Sequence, residues 1–171
     1  MPQDTPATAT ITIALVKPVP PGSLHLAAMN IFKHPGEVGT KELLLSCNLP
    51  VQDLATAHFE HFFGCGSELS PDGVVGLELY GTSALLRSLA VTPKARGLGC
   101  GRRLVAKAEA HAAAQGATMV YLLTNTAKAF FQALGYSVAE RLSAPPAIQD
   151  TKEFSYLCPA SATFMEKRIT D

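Results

Sequence analysis

The chain has 171 residues, 47% of them hydrophobic and 16% charged, with fourteen basic residues balancing fourteen acidic ones. That length suits a single domain with a real core, and the composition is not that of a disordered polymer. Electroneutrality argues against a nucleic-acid or anionic-membrane partner, since either selects a basic face.

The opening stretch "MPQDTPATATITIALVKP" shows neither the positive start nor the long apolar core of a secretory signal. No apolar run reaches the ~20 residues of a bilayer span. Cys47, Cys65, Cys100 and Cys158 are scattered without a CxxC pair, so reduced thiols in a cytoplasmic protein are expected. No metal site is expected. His58 and His61 have HxxH spacing, but on a strand they would face opposite ways, with no third ligand in view.

Residues 1–9 read as a flexible tail and 10–171 as one domain. "TITIALVK" (10–17) predicts a strand, ended by "PVPPGS". "SLHLAAMNIF" and "GTKELLLSC" each predict a helix, with Ser23 as N-cap of the first. "AHFEHFFGCG" and "GVVGLELYG" predict two strands joined by the turn-rich "SELSPDG". "SALLRSLAV" (83–91) is a third strand, stopped by Thr92-Pro93. A helix is expected from about Gly101 to Gln115, with Leu104, Val105, Ala108 and Ala112 on one stripe and Gly116 as its stop. "TMVYLLT" (118–124) is a strand and "AKAFFQAL" (127–134) a short helix stopped by Gly135. "YSVAERL" (136–142) predicts a strand, 145–157 a helix and "ATFMEKRI" (162–169) a last strand. The order gives an α/β fold on a mixed sheet.

Between the third strand and the alanine-rich helix lies "ARGLGCGRRLV" (95–105). A helix N-terminus presents free N–H groups and the positive end of its dipole, and glycines let that backbone approach an anion closely. Arg96 and Arg102 flank the loop and can add charge-assisted bonds. The same glycines also suit a plain tight turn. The Walker pattern fails because Arg102-Arg103 stands where Lys-Ser/Thr is needed, and GxGxG is not the dinucleotide GxGxxG.

With its neighbours, "LRSLAVTPKARGLGCGRRLV" resembles motif A of the GNAT N-acetyltransferases, in which a strand leads to Arg/Gln-x-x-Gly-x-Gly/Ala and then a helix; Arg96, Gly99 and Gly101 match it. "AKAFFQALGY" is similar to that family's second motif. The resemblance implies a GNAT fold, with a mostly antiparallel mixed sheet splayed between the strands at 83–91 and 118–124 and flanked by helices. It implies acetyl-CoA as co-substrate. The pyrophosphate would lie on the amides of Gly97, Leu98, Gly99, Cys100, Gly101 and Arg102, beside Arg96. The pantetheine arm would pair with the main chain of Leu89, Ala90 and Val91 as an added strand, and Thr124, Asn125 and Phe131 would line the far side of the cleft.

Acetyl transfer to an amine needs a base, an oxyanion donor and a proton for the departing thiolate. The backbone N–H near Leu89 is the donor by analogy with the family. Many relatives carry a tyrosine on the second-motif helix and a glutamate on the strand before the loop; here Phe131 replaces the first and residues 83–91 hold no carboxylate. Glu78, acting through a water, is then the candidate base. Tyr80 shares its face, and Tyr121 and Tyr156 are further acid candidates. Arg87 lies in an apolar strand, by alternation on the face of Leu89 and Val91. It needs an anionic partner, either Glu78 or a substrate carboxylate held bidentately. Cys100 reads as a small filler.

"VVGLELYGTSALLRSLAV" and "EFSYLCPASATFM" together resemble the small GNAT proteins linked to arsenic resistance, and "YLLTNTAKAFFQALGY" is similar to the matching segment of N-acetylglutamate synthases. Both imply the α-amine of a small amino-acid-like substrate. A glutamate analogue such as arsinothricin would fit, met at its acidic end by Arg87 with Glu78 and Ser161 nearby. The alternatives are an acetyl-CoA-binding sensor or partner module without catalysis, an enzyme for ordinary amino acids such as glutamate, and a protein N-terminal acetyltransferase. Direct binding of arsenite by Cys158 stands against a plain buried thiol. A homodimer is left open.

Overall fold

The computed structural model describes residues 30–170. The strand expected at 10–17 and the start of the helix expected at Ser23 lie outside the described residues. The elements are β1 (Ile31–Lys33), α1 (Glu37–Ser46), β2 (Phe62–Gly66), β3 (Pro71–Tyr80), β4 (Ser83–Val91) and α2 (Cys100–Ala114). They continue as β5 (Met119–Thr124), α3 (Lys128–Ala133), β6 (Ser137–Val138), α4 (Pro146–Gln149) and β7 (Thr163–Arg168). One seven-stranded sheet runs β1-β2-β3-β4-β5-β7-β6. Every neighbouring pair is antiparallel except β4–β5, which is parallel.

The parallel contact is short. Ser83, Ala84 and Leu85 pair with Met119, Val120 and Tyr121, and beyond them the two strands part. A second irregularity lies on β4's other edge. Gly76 pairs with Arg87 and Val74 with Ala90, so Ser88 and Leu89 together stand opposite Val75. This is a β-bulge, with the extra residue accommodated by Ser88 at φ +56°. Strict alternation therefore fails here: Arg87 shares a face with Ala90, while Leu89 and Val91 pack on the other side.

On that other side, Val75, Leu77 and Leu86 meet the predicted α2 stripe of Leu104, Val105, Ala108 and Ala112, all essentially closed to solvent. On the Arg87 face two clusters form, one of Leu44, Phe62, Val74 and Ala90, the other of Leu85, Tyr121, Ile148 and Phe164. Arg87 stands between them along β4. At about 25 cal/mol per Å² such burial is the main driving force for folding.

Several sequence expectations need correction. Ile31–Lys33 is a strand rather than the end of a helix, because it pairs with Phe63–Cys65 of β2. Residues 56–61 form a 3₁₀ turn before β2, its start held by the Ala55 N–H donating to Nδ1 of His58. His58 and His61 are therefore not strand residues, and His61 Nδ1 instead faces His111 Nε2 at 3.2 Å. The expected strand at 136–142 is only Ser137–Val138. Past it the chain turns, and Arg141 binds the carbonyls of Phe154 and Pro159. The helix expected over 145–157 breaks after Gln149. There the Thr151 hydroxyl donates to Ile148 O and accepts the Phe154 N–H, competing with the helical ladder; a π-helical turn follows at Glu153–Leu157.

Two of the four cysteines are not free thiols. Cys65 of β2 and Cys100, the first residue of α2, form a disulfide. Gly73 makes room for it, since a Cβ there would lie 2.7 Å from the Cys100 sulfur. Cys100 is thus a cross-link rather than a filler, while Cys47 and Cys158 are free. Among the described residues no helix is long and apolar enough to cross a membrane.

Candidate functional site

The parting of β4 from β5 opens the sheet, and two cavities share the gap. The first, of about 650 Å³, runs from Leu89, Ala90 and Val91 over the glycine loop, lined there by Arg96, Gly97, Gly99, Cys100, Gly101 and Arg102. Gly97 (φ +75°) and Gly99 (φ +83°) occupy the left-handed region, where a side chain is strained. That path lets the chain enter α2 with Gly99 as N-cap. The first helical bond at this end runs from Arg103 N–H to Gly99 O, so the amides before it precede the ladder and point out of the helix start. Arg96 Nε donates to Val91 O at 3.0 Å and braces the loop against β4. Leu98 is half-buried but does not line this cavity. Thr126, Ala127 and Phe130 close its other wall, and none of the three was singled out in the sequence. Phe130 stands within 3.4 Å of where a Gly101 Cβ would be, which shows how closely α3 approaches the loop.

The second cavity, of about 520 Å³, holds Thr124, Asn125 and Phe131 together with Arg87, Ser88 and Leu89. It shares Leu89 and Ala127 with the first, so one gap joins both at the β4 bulge. A bulge leaves backbone polar groups outside the ladder, which suits Leu89 to present its N–H to the gap. The remaining wall comes from Cys47 and Leu49 after α1 and from Glu153, Leu157, Cys158 and Pro159.

Arg87 is the electrostatic centre. Its side chain is 1% exposed, and it is held by three carboxylates rather than one. Nη1 contacts Asp53 Oδ2 and Glu78 Oε1, both at 2.5 Å. Nη2 contacts Asp53 Oδ1 and Glu153 Oε1, both at 2.9 Å, and Nε donates to the Ser88 hydroxyl at 3.3 Å. Four hydrogen bonds and the Glu153 ion pair thus engage all three guanidinium nitrogens. Burial would raise the Asp53 pKa, but the hydrogen bonds and charge of Arg87 outweigh it and hold the carboxyl below its usual range. Of these carboxylates, the sequence suggested only Glu78. Asp53 and Glu153 come from remote loop and turn segments, which no local periodicity links to β4.

The other sequence candidates separate. Glu78 and Tyr80 share a face of β3 and a hydrogen bond, but they line a different cavity of about 240 Å³ with His58 and His61. Burial first, then Glu78, push the Tyr80 phenol above its ordinary value. Tyr121 is stacked on Phe164 in the core and Tyr156 is 68% exposed; neither lines the cleft. Ser161 is exposed and outside both cavities. Cys158 lines the second cavity and donates to Glu153 Oε2 at 3.0 Å. Burial, reinforced by Glu153, pushes that thiol up to about 12, so it is protonated at neutral pH.

Residues 58–138 match the family of acetyltransferase (GNAT) domains. No curated protein matches the chain. Among solved structures, N-acetylglutamate synthase from Neisseria gonorrhoeae, complexed with coenzyme A and N-acetyl-glutamate, superposes with a TM-score of 0.70 at 18% identity; the match covers 83% of this chain and 35% of that one. This chain therefore spans about a third of the synthase's length. A GNAT-family acetyltransferase from Staphylococcus aureus gives a TM-score of 0.63 at 18% identity, covering 82% of this chain and 99% of that one. A Mycobacterium tuberculosis protein in complex with CoA gives 0.68 at 18%, covering 81% and 98%. The seven-stranded mixed sheet, opened between β4 and β5 and flanked by helices, is the GNAT fold, and residues 58–138 are the part of the chain that matches the acetyltransferase (GNAT) domain family.

Proposed function

We propose that this protein is an N-acetyltransferase that moves the acetyl group of acetyl-CoA to the amine of a small amino-acid-like acceptor. The observation that carries this reading is the joining of a glycine-loop cavity to a second, acceptor-sized cavity at the bulge of β4. In this reading the pyrophosphate takes the amides of the loop and the pantetheine runs along Leu89–Val91. The thioester carbonyl then reaches the Leu89 N–H, while Thr124, Asn125 and Phe131 face the acetyl and acceptor groups. The donor matters because negative charge develops on that oxygen as the amine adds; a preorganised N–H lowers the barrier by about 3–4 kcal/mol. CoA is bound by the neighbouring structures from Neisseria and Mycobacterium, which supports the same co-substrate here.

The acceptor is proposed to be an α-amine. Similarity of Leu157–Ala162 and of 121–136 to the arsenic-resistance and glutamate-synthase segments supports an amino-acid skeleton and a place in arsenic resistance. The saturation of Arg87 by Asp53, Glu78 and Glu153 means that an acidic substrate group has to displace a carboxylate to reach it. A thiol-release assay with acetyl-CoA, run across amino acids and their arsinic and phosphinic analogues, tests this. CoA release with at least one α-amine is expected; tight acetyl-CoA binding without release from any amine would favour a non-catalytic binding module.

A further inference from the structure

An acceptor amine arrives at neutral pH as an ammonium and must shed a proton before its lone pair can attack a thioester. Among the described residues lining the acceptor cavity, Glu153 is the one carboxylate. Arg87 is a permanent cation whose three guanidinium nitrogens all have partners, and the Cys158 thiol donates its hydrogen to Glu153. Glu78 has a comparable set of partners, Arg87 and Tyr80, but lines the separate cavity. Glu153 is 8% exposed and held from several sides. Arg87 fixes Oε1, Cys158 fixes Oε2, and the Cys158 N–H donates to the Glu153 carbonyl at 3.0 Å. Arg141 clamps the same turn through the Phe154 carbonyl and stacks over the Phe154 ring. Of the three carboxylates around Arg87, Glu153 is the one that lines this cavity, where a carboxylate attracts an ammonium and favours its approach.

We propose that Glu153 is the residue that takes the proton from the acceptor ammonium, and that Arg87 and Cys158 are its positioning residues. The assignment rests on the acetyltransferase reading above. In the step, one N–H proton passes to the Glu153 carboxylate, directly or through one water. The freed amine forms a C–N bond to the thioester carbonyl carbon while the carbonyl π electrons move to oxygen. Collapse restores the carbonyl and breaks the C–S bond. The second proton of the nitrogen goes to the departing sulfur, giving CoA thiol, and Glu153 returns its proton to solvent.

The test is Glu153→Gln, which keeps shape and removes basicity. With an acceptor found by thiol release, kcat/KM is expected to fall by about 10²–10⁴-fold, the usual contribution of a positioned base, with acetyl-CoA affinity unchanged. The residual rate should climb about tenfold per pH unit, following free amine in solution. Alkylation of Cys158 by iodoacetamide, followed by peptide mass spectrometry, reads the same contact without turnover: it should accelerate in Glu153→Gln. Cys158→Ala is expected to lower kcat more than it changes KM, and Cys158→Ser, which keeps a donor, to restore it. Glu153→Asp guards against misfolding of the amide variant and should keep the wild-type pH profile at lower kcat. Wild-type kcat/KM and pH profile in Glu153→Gln would overturn the assignment while leaving the acetyltransferase reading intact, and so would a Glu153→Asp profile that simply tracks free amine. No CoA release from the wild-type protein with any amine would overturn both.

Discussion

Replacing Arg87 by Met keeps much of the side-chain volume but removes the cation that three carboxylates share. The side chains of Arg87, Asp53, Glu78 and Glu153 are 1%, 5%, 12% and 10% exposed, so water cannot readily take the guanidinium's place. Removing one partner of a buried ion pair costs about 3–5 kcal/mol. At roughly 2–4 °C per kcal/mol for a chain of this size, that is a loss of about 6–20 °C in melting temperature. The deficit must also depend on pH. Asp53 is held below its ordinary value of 3.8, so its contribution in the wild type is present above that value and is lost as pH falls through the native one. In the Arg87 variant the partner that holds Asp53 low is gone, so the gap between variant and wild type narrows as the medium is acidified. Urea denaturation at a series of pH values measures it. A variant midpoint equal to wild type at pH 7, or a gap constant with pH, would refute the reasoning.

Gly99→Val forces a β-branched residue into the left-handed region at the N-cap of α2, at a cost of at least about 1–2 kcal/mol. CoA affinity measured by calorimetry should fall by tenfold or more, with the far-ultraviolet dichroism unchanged. Breaking the Cys65–Cys100 cross-link, which closes a sequence separation of 35 residues, by Cys65→Ser should destabilise by about 2–4 kcal/mol; the same drop should appear when the wild type is melted in excess reductant. Burial, then the charges of Lys33, His61 and Lys107, hold His111 below 6.5. Its stabilising contribution is therefore present above pH 6.5 and lost as pH falls through the lower native value, and His111→Gln should flatten that part of the denaturation profile.

What the sequence made legible was mostly local. The α2 stripe, the stops at Gly116 and Gly135 and the strand at 83–91 follow from periodicity and glycine placement, and each recurs in the structure within a residue or two. The glycine loop was legible because backbone conformation there depends on side chains that are absent. Side-chain alternation along β4 was misread because a bulge at Ser88–Leu89 changes the face without any proline or glycine to mark it. The partners of Arg87 were missed for a related reason: Asp53 is 34 residues away in sequence and Glu153 lies on a π-helical turn, so only tertiary packing brings them together. The Cys65–Cys100 pair was equally hidden, since no spacing rule links a strand to the start of a helix three elements later.

The central claim is that the two cavities meeting at Leu89 carry an acetyl group from CoA to an amine. Incubating the protein with acetyl-CoA bearing an isotopically labelled acetyl group and a mixture of small amines, then analysing the amines by mass spectrometry, tests it most directly. A labelled N-acetyl product is expected, and its formation should be lost in Gly99→Val. Acetyl-CoA bound at the glycine loop with every amine recovered unlabelled would contradict it.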